Sequence, residues 1–312
     1  MVGKYWVDGF HKVPPPEDRG YIEAINEICN LESIDVVIPQ TTREIARLSK
    51  TVKRVNSKVT VSPASAIETA NNKYELVKVC QKIGIPAPRC RLVNSARELK
   101  DASEELGYPK SSVVVKPPVS YGSRGFRVLR EGTTWNASRF LKEKPNAIEI
   151  SLEEIISILS NDPVMDFPEL IVSEYLPGNE YSIDAFVGEK VSVAIPRLRK
   201  EIVNGISFRT SLESRKDIMD YTLRAAKEIG LRFTFGFQFK LDSEGIPKIL
   251  ECNPRVQGTM AASVFSGVNV IWMAVREAIG EPVSTLPSSL MKSEFYRYWG
   301  GLGTFGDSFE EI

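Results

Sequence analysis

Histidine is almost missing from this chain: His11 is the only one among 312 residues, and it lies beside the run Pro14-Pro15-Pro16. Ser-His-Asp and Cys-His machinery need an imidazole base, and zinc is commonly held by imidazole, so the composition argues against all three. Cysteine is scarce too. Cys29, Cys80, Cys90 and Cys252 stand far apart without a C-x-x-C pair, the pattern of reduced thiols in a cytosolic protein. Net charge is absent, because forty basic and forty acidic residues cancel. No overall field draws the chain to nucleic acid or membrane, although a local basic cleft is allowed. The N-terminal "MVGKYWVDGFHKVPPP" has no apolar signal region, and the best apolar run, "VNVIWMAV", is far too short to span a bilayer. These absences predict a soluble cytoplasmic protein whose metal, if any, has oxygen ligands and is magnesium or calcium.

What is present suffices for a sizeable core: 42% of residues are hydrophobic, enough for two or more domain-sized units. Helical spacing in "YIEAINEICNL", the apolar run "IDVVIP", a Thr-capped "TTREIARLSK" and "KVTVS" alternate as helix, strand, helix, strand, a small piece of an open α/β layer. A helix from Asn71 to about Ile83 stops at "GIPAPR". Beyond it the pattern predicts strands at "SVVVKPP", "FRVLR", "ELIVSEYL" and "NEYSIDAFVG", then a hairpin about Asn204-Gly205. A long helix ends at Gly230, a second hairpin crosses "DSEG", and "VNVIWMAVREAIG" forms a last helix before a polar tail.

Four stretches carry chemistry. In the hairpin 233–253, a loop centred on Ser243-Glu244 sets Gln238 opposite Ile249 and Gly236 opposite Glu251. Residues two apart share a strand face, so Gln238, Glu251 and Asn253 come together with Ile249 among them. One carboxylate and two amide oxygens make a hard cation site completed by phosphates; a solvated polar face would read the same. Cys252 then points to the opposite face, among Phe237, Phe239 and Leu250, as a small hydrophobe. In "VVVKPPVSYGSRGF", Lys116 ends an apolar strand, and Ser120, Gly122, Ser123 and Gly125 form a loop suited to an anion or to a plain glycine turn. Lys73 sits in the first turn of its helix, where a cation is disfavoured unless an anion joins it. In "IVSEYLPGNEYSIDAF", Glu174 and Leu176 precede a Pro-Gly break that could offer backbone groups to an adenine edge. Glu180, Ser182 and Asp184 then alternate onto one face.

In this order the pieces resemble the ATP-grasp superfamily, and within it the ATP-grasp module of the carbamoyl-phosphate synthase large chain and its stand-alone relatives. The resemblance runs over about residues 68–280, through "NNKYE…GIPAPR", "VVVKPPVSYGSRG", "SEYLPGNEYSIDAF", "GFQFKLDSEGIPKILECNPR" and "ASVFSGVNVIWMAVREAIG". It implies an α/β (α+β) fold: an ATP-grasp domain over 68–283, a mobile nucleotide-covering lobe at about 110–175, a truncated open α/β domain over 1–67 and a tail over 284–312. It also implies cofactors, ATP with Mg2+ or Mn2+. Lys73, Lys116 and the loop with Ser120, Gly122, Ser123 and Gly125 would meet the phosphates. Glu174, Tyr175, Leu176 and Ile249 would surround the adenine, and Glu180 would meet the ribose. Gln238, Glu251 and Asn253 would hold the metal, with Arg255 and Lys116 as the catalytic cations. Arg197 and Arg199 share a strand face and would pin a substrate carboxylate or bicarbonate-derived group. The implied partners are a small carboxylate or bicarbonate and an amine donor. The relatives usually begin with a full α/β domain, and here the chain starts after its first strand; a partner chain or homo-oligomer would complete it.

Overall fold

Antiparallel pairing dominates the architecture, as the alternating strands of the sequence require. The computed structural model describes all residues except 1, 121, 123, 134–147, 164–165, 204, 284–285, 288, 299, 301, 306–307 and 312. Near the N-terminus, α1 (Tyr21–Leu31) and α2 (Thr42–Thr51) flank a two-stranded parallel sheet of β1 (Val36–Val37) and β2 (Lys58–Val59). Thr41 and Glu44 close a reciprocal capping box on α2, which fixes where that helix starts. This is the small α/β piece that the alternation predicts.

The helix expected from Asn71 is present, and a second helix that the pattern does not predict precedes it. The preceding helix, α3 (Ala64–Asn71), runs directly into α4 (Lys73–Lys82), and Asn72 marks the break. The Asn72 side chain accepts the backbone N–H groups of Tyr74 and Glu75 at 3.0 and 3.2 Å, so it is the N-cap of α4. Cap chemistry therefore puts Lys73 at the very first helical position.

The next unit is a five-stranded sheet in the order β3 (Cys90–Val93), β7 (Leu170–Glu174), β4 (Val113–Lys116), β5 (Arg127–Leu129) and β6 (Glu149–Ile150). Two helices, α5 (Ala96–Glu105) and α6 (Leu152–Ser160), cover one face through a core that includes Leu99, Val113, Val115 and Val172. Besides strands from about 110–175, this sheet includes Cys90–Val93, which pairs with Leu170–Ser173 of β7.

The larger sheet has six strands in the order β12 (Pro247–Asn253), β11 (Phe233–Leu241), β8 (Glu180–Val187), β9 (Ser192–Val203), β10 (Ile206–Leu212) and β13 (Glu294–Tyr296). The tail is thus partly structural, since Glu294–Tyr296 adds an edge strand to β10. A last hairpin joins β14 (Leu302–Phe305) to β15 (Ser308–Glu311). Phe235, Phe237 and Phe239 point to one face of the sheet and are fully buried, with Phe235 and Phe237 edge to face at 5.7 Å. Each such burial contributes about 1.5–3 kcal/mol, and α4 and α7 (Lys216–Ile229) supply the opposing side chains, among them Leu76, Cys80 and Ala225. On the other face, α8 (Val270–Ile279) covers Phe186 and Ile195, and the remainder is left as a polar floor.

The hairpin register differs from the expected one twice, by one residue at the turn, where Leu241 faces Pro247, and by one more at a bulge. Gln238 faces Glu251 and Gly236 faces Asn253, yet Phe239 faces Ile249, so Leu250 is an extra residue in β12. A one-residue insertion inverts the facing of every residue on its far side. Ile249, expected beside the adenine, is instead fully buried in the phenylalanine core, and Leu250 turns to the polar floor. Glu251 and Asn253 lie beyond the bulge and keep the face expected of them, and Cys252 stays in the core.

Between the two sheets the chain crosses Pro177-Gly178-Asn179, clamped to β11 by Gly178 N–H to Leu241 O and Leu241 N–H to Asn179 O, both 2.9 Å. A Cβ on Gly178 would lie 2.7 Å from Leu241 Cβ and 2.8 Å from its carbonyl oxygen. Gly178→Ala should therefore lower the unfolding free energy by about 1–3 kcal/mol, the usual cost of forced overpacking, read as a lower urea midpoint at unchanged slope.

Candidate active site

The polar floor and the five-stranded sheet enclose a cavity of about 440 Å³. The floor can be read across the strands. Glu251, Gln238, Ser182 and Arg197 form one row, and Lys240, Glu180 and Arg199 form the next. A strand face whose alternation allowed either a solvated surface or a site is thus a single polar surface roofed by another sheet.

Lys73 ties three elements together at one end. Its N–H donates to Pro118 O at 2.9 Å, and its Nζ donates to Ser120 O at 3.0 Å and Ser120 Oγ at 3.3 Å. The same Nζ lies 3.7 Å from Glu251 Oε2. A cation at a helix N-terminus opposes the helix dipole, and Glu251 is the anion that offsets it. Burial pushes the Lys73 ammonium down from its ordinary value, against the pull of Glu251. Lys116, the last residue of β4, is more perturbed: burial lowers it to about 8, and the Lys73 charge adds to the effect while Glu251 opposes it. Two buried ammonium groups served by one carboxylate form a site short of negative charge.

The loop after Lys116 supplies Ser120 and Gly122 to the cavity wall. Gly122 and Gly125 have φ of 63° and 74°, and a Cβ on Gly125 would come within 2.7 Å of the Pro117 ring. Ser123, expected at the phosphates, lies outside the described residues. At the opposite end, Tyr175 and the buried Leu176 line the cavity. Glu174 lines it too, but its carboxylate is engaged as a strut, accepting Lys248 Nζ at 2.6 Å, Arg89 N–H at 3.0 Å and Arg89 Nε at 3.2 Å. Burial pushes this carboxyl up, yet the bonds from Lys248 and Arg89 outweigh it and hold it below the usual range. Glu180 is held by Arg199, with Lys240 Nζ at 3.8 Å.

Gln238, Glu251 and Asn253 present oxygen atoms to one region, with Asn253 Nδ2 donating to Glu251 Oε1 at 3.3 Å. Among the described residues there is no cluster of three or more His, Cys, Asp or Glu side chains able to hold a metal. The set therefore fits a hard cation that takes most of its ligands from phosphate oxygens and water, and does not fit one caged by protein alone. Arg255 stands beside it, half buried, with Nη2 donating to Asn253 Oδ1 at 3.2 Å and Nη1 to Val256 O at 2.9 Å. Cys252 is no nucleophile, because burial raises its thiol well above the ordinary value.

The two arginines expected to clamp a substrate both line the cavity and both have carboxylate partners on β8, while Arg197 Nη1 is buried without a partner among the described residues. Arg197 is 1% exposed and makes a two-pronged ion pair with Asp184, Nε to Oδ2 at 2.6 Å and Nη2 to Oδ1 at 2.8 Å. Arg199 donates to Glu180, to Ser207 Oγ at 2.8 Å and to Gly205 O at 2.6 Å. Strand alternation places these arginines on the floor but is blind to the carboxylates facing them from β8. Gln257 was missed altogether. Its Nε2 donates to Ile183 O at 3.0 Å and Asp184 Oδ1 at 2.8 Å, and its amide lies where a Cβ of Gly236 would be. Its position two residues after Arg255 and the lack of a side chain at Gly236 were the available signals.

Comparison with known proteins follows this geometry. A family model described as "ATP-grasp in the biosynthetic pathway with Ter operon" matches residues 166–294. The carbamoyl phosphate synthase large chain of Agathobacter rectalis is 25% identical over 274 residues, covering 84% of this chain and 23% of that protein. The Thermus thermophilus counterpart is 25% identical over 287 residues, covering 86% and 26%. The chain thus spans about a quarter of the length of these relatives. Among solved structures, the biotin carboxylase domain of Hydrogenobacter thermophilus 2-oxoglutarate carboxylase, in complex with MgADP, ADP and bicarbonate, superposes with a TM-score of 0.70 at 18% identity, covering 90% of this chain and 61% of that one. N5-carboxyaminoimidazole synthetase from Staphylococcus aureus with ADP gives 0.68 at 16% identity, covering 93% and 71%. The fold is the ATP-grasp fold, and the chain is related to that superfamily. Among the described residues no helix is long and apolar enough to cross a membrane.

The perturbed lysine gives a pH signature. Lys116 loses its proton near pH 8 in the free protein, and bound phosphate would restore it. ADP affinity should hold below pH 8 and fall above it by at most about tenfold per unit, with proton uptake on binding. Calorimetry in buffers of different ionisation enthalpy checks this, and Lys116→Arg should flatten the fall.

Proposed function

We propose that this ATP-grasp chain is an ATP- and magnesium-dependent ligase that joins a carboxylate to an amine. The observation that carries the reading is the convergence on one cavity of Lys73, Lys116, the Glu251–Gln238–Asn253 oxygen set and Arg255, contributed by α4, β4, β11, β12 and the turn after β12. Phosphoryl transfer needs cations, alignment and excluded water more than a nucleophilic side chain, which suits a chain with one histidine. The resemblance to ligases of the carbamoyl-phosphate synthase large chain supports the same reading.

In the reaction so assigned, a carboxylate oxygen bonds to the γ-phosphorus of ATP as the bond to the bridging oxygen breaks, releasing ADP. An amine then bonds to the acyl carbon, phosphate leaves with the carbon–oxygen electron pair, and the amine gives up a proton to water. Lys73 and Lys116 would hold the phosphates, and Arg255 would balance charge on the transferred group. Glu251, Asn253 and Gln238 would hold magnesium, or manganese in its place, which supplies neutralisation of the β- and γ-phosphate oxygens. Tyr175 and Leu176 would line the adenine pocket and Glu180 would meet the ribose. In the variant that most resembles the large-chain relatives, bicarbonate is the first acceptor.

One observation favours a second reading, a subunit that binds nucleotide without turnover: the metal set has a single carboxylate. Phosphate release decides between the two. With ATP and magnesium, release should rise when a carboxylate and an amine, or bicarbonate and ammonia, are supplied together. Tight nucleotide binding with no release for any pair would establish the second reading. Glu251→Gln should lower the release rate by about a hundredfold or more while leaving the circular-dichroism spectrum unchanged.

A further inference from the structure

The cavity wall carries more positive charge than one nucleotide needs, and most of it is already cancelled. Arg197 is neutralised by Asp184, and, two rows away from Asn253, Glu180 is shared by Arg199 and Lys240. Lys73 and Lys116 adjoin Glu251 at the end assigned to phosphates and metal. Arg255 differs from all of these. Among the described residues no carboxylate lies within salt-bridge distance of it, and its guanidinium donates only to the neutral oxygens of Asn253 and Val256.

The neutralised neighbour is fixed by design of the floor. Asp184 has no solvent exposure, and it accepts two bonds from Arg197 and one from Gln257. Gln257 is seated over Gly236, the residue between Asp184 and Asn253 in the next row of the sheet. The Asp184–Arg197 pair therefore lies on the order of 10 Å from Asn253, two strand spacings across the floor. At that range, inside a cavity, an uncancelled guanidinium would act strongly on a substrate charge, whereas a cancelled one does not. The acceptor end thus offers one net positive charge, at Arg255.

We infer that the acceptor is a singly charged carboxylate, and that Asp184, by cancelling Arg197, excludes acids with a second negative charge. This rests on the ligase reading for the identity of the cavity's occupants. Among the described residues of the wall outside the Lys73–Lys116 end, every cation but Arg255 already has a carboxylate partner. A second carboxylate would enter with no unpaired cation to meet it there, and burying an unpaired charge is costly. Arg197 is accordingly a specificity-determining residue through its partner, and not a substrate clamp.

The test uses isosteric pairs, succinamate against succinate and glutaramate against glutarate, with bicarbonate alongside. Binding to the ADP–magnesium complex is measured by calorimetry, and phosphate release is measured with ATP and an amine. The monoanion should be preferred by about tenfold or more in each pair, the factor that corresponds to roughly 1.4 kcal/mol. Asp184→Asn releases the Arg197 charge and should narrow or reverse that preference, with ADP binding as the folding control. Equal or better binding of the dianions by the wild-type chain would overturn the inference while leaving the ligase reading intact. An unchanged preference in Asp184→Asn would overturn the role given to Asp184. Absence of phosphate release with every acid would count against the ligase reading, and the binding ratios would still decide the charge preference.

Discussion

The pairing of Gln238 with Glu251 across two antiparallel strands is the contact on which the rest of the site depends. It sets an amide and a carboxylate side by side on a sheet backed by three buried phenylalanines, so neither strand can slip without expelling an aromatic ring from the core. The bulge at Leu250 strengthens that constraint. It lets Ile249 and Cys252 both face the core, although they are three residues apart, while Glu251 and Asn253 remain above the floor. Lys73 then takes its place against Glu251 because Asn72 starts α4 there, and Lys73 in turn holds the loop at Ser120. A local pairing thereby organises groups from opposite halves of the chain.

Burial gives these charges their character. Ammonium groups in water titrate far above neutrality, but Lys116 is buried beside another cation and is poised near pH 8. The arginines on the neighbouring strands stay buried because carboxylates from β8 meet them with bidentate or charge-assisted bonds. One surface thus combines under-neutralised cations at Lys73 and Lys116 with cancelled ones beyond them. The Asp184–Arg197 pair is diagonal, since Arg197 faces Ser182 and Asp184 faces Ile195 across the two strands.

Much of this could be read from the sequence, and the failures are instructive. The face shared by Glu251 and Asn253, the core position of Cys252 and the first-turn position of Lys73 all follow from periodicity, which survives folding. Ile249 was misplaced because a bulge interrupts the period without leaving a glycine or proline to mark it. Arg197 and Arg199 were assigned to a substrate because alternation gives a residue's face and not its partner across the sheet; Asp184 and Glu180 become neighbours only once β8 pairs with β9. The helix expected from Asn71 matches α4, whose start the Asn72 cap fixes, whereas the short α3 before it, Ala64–Asn71, has no side-chain cap to mark where it begins. Gln257 lies in an irregular segment, where no period applies.

The clamp between Pro177-Gly178-Asn179 and Leu241 has a mechanical consequence. Two backbone hydrogen bonds and a contact too close for any side chain weld this crossing to β11. Any turning of the five-stranded sheet relative to the six-stranded one would bend this crossing on the near side of the weld, at Glu174–Leu176, where Lys248 and Arg89 hold Glu174. Glu180, on the far side, stays stationary with the floor. The same three residues, 174–176, line the cavity, so an occupant seated against Tyr175 and Leu176 would bear directly on this crossing.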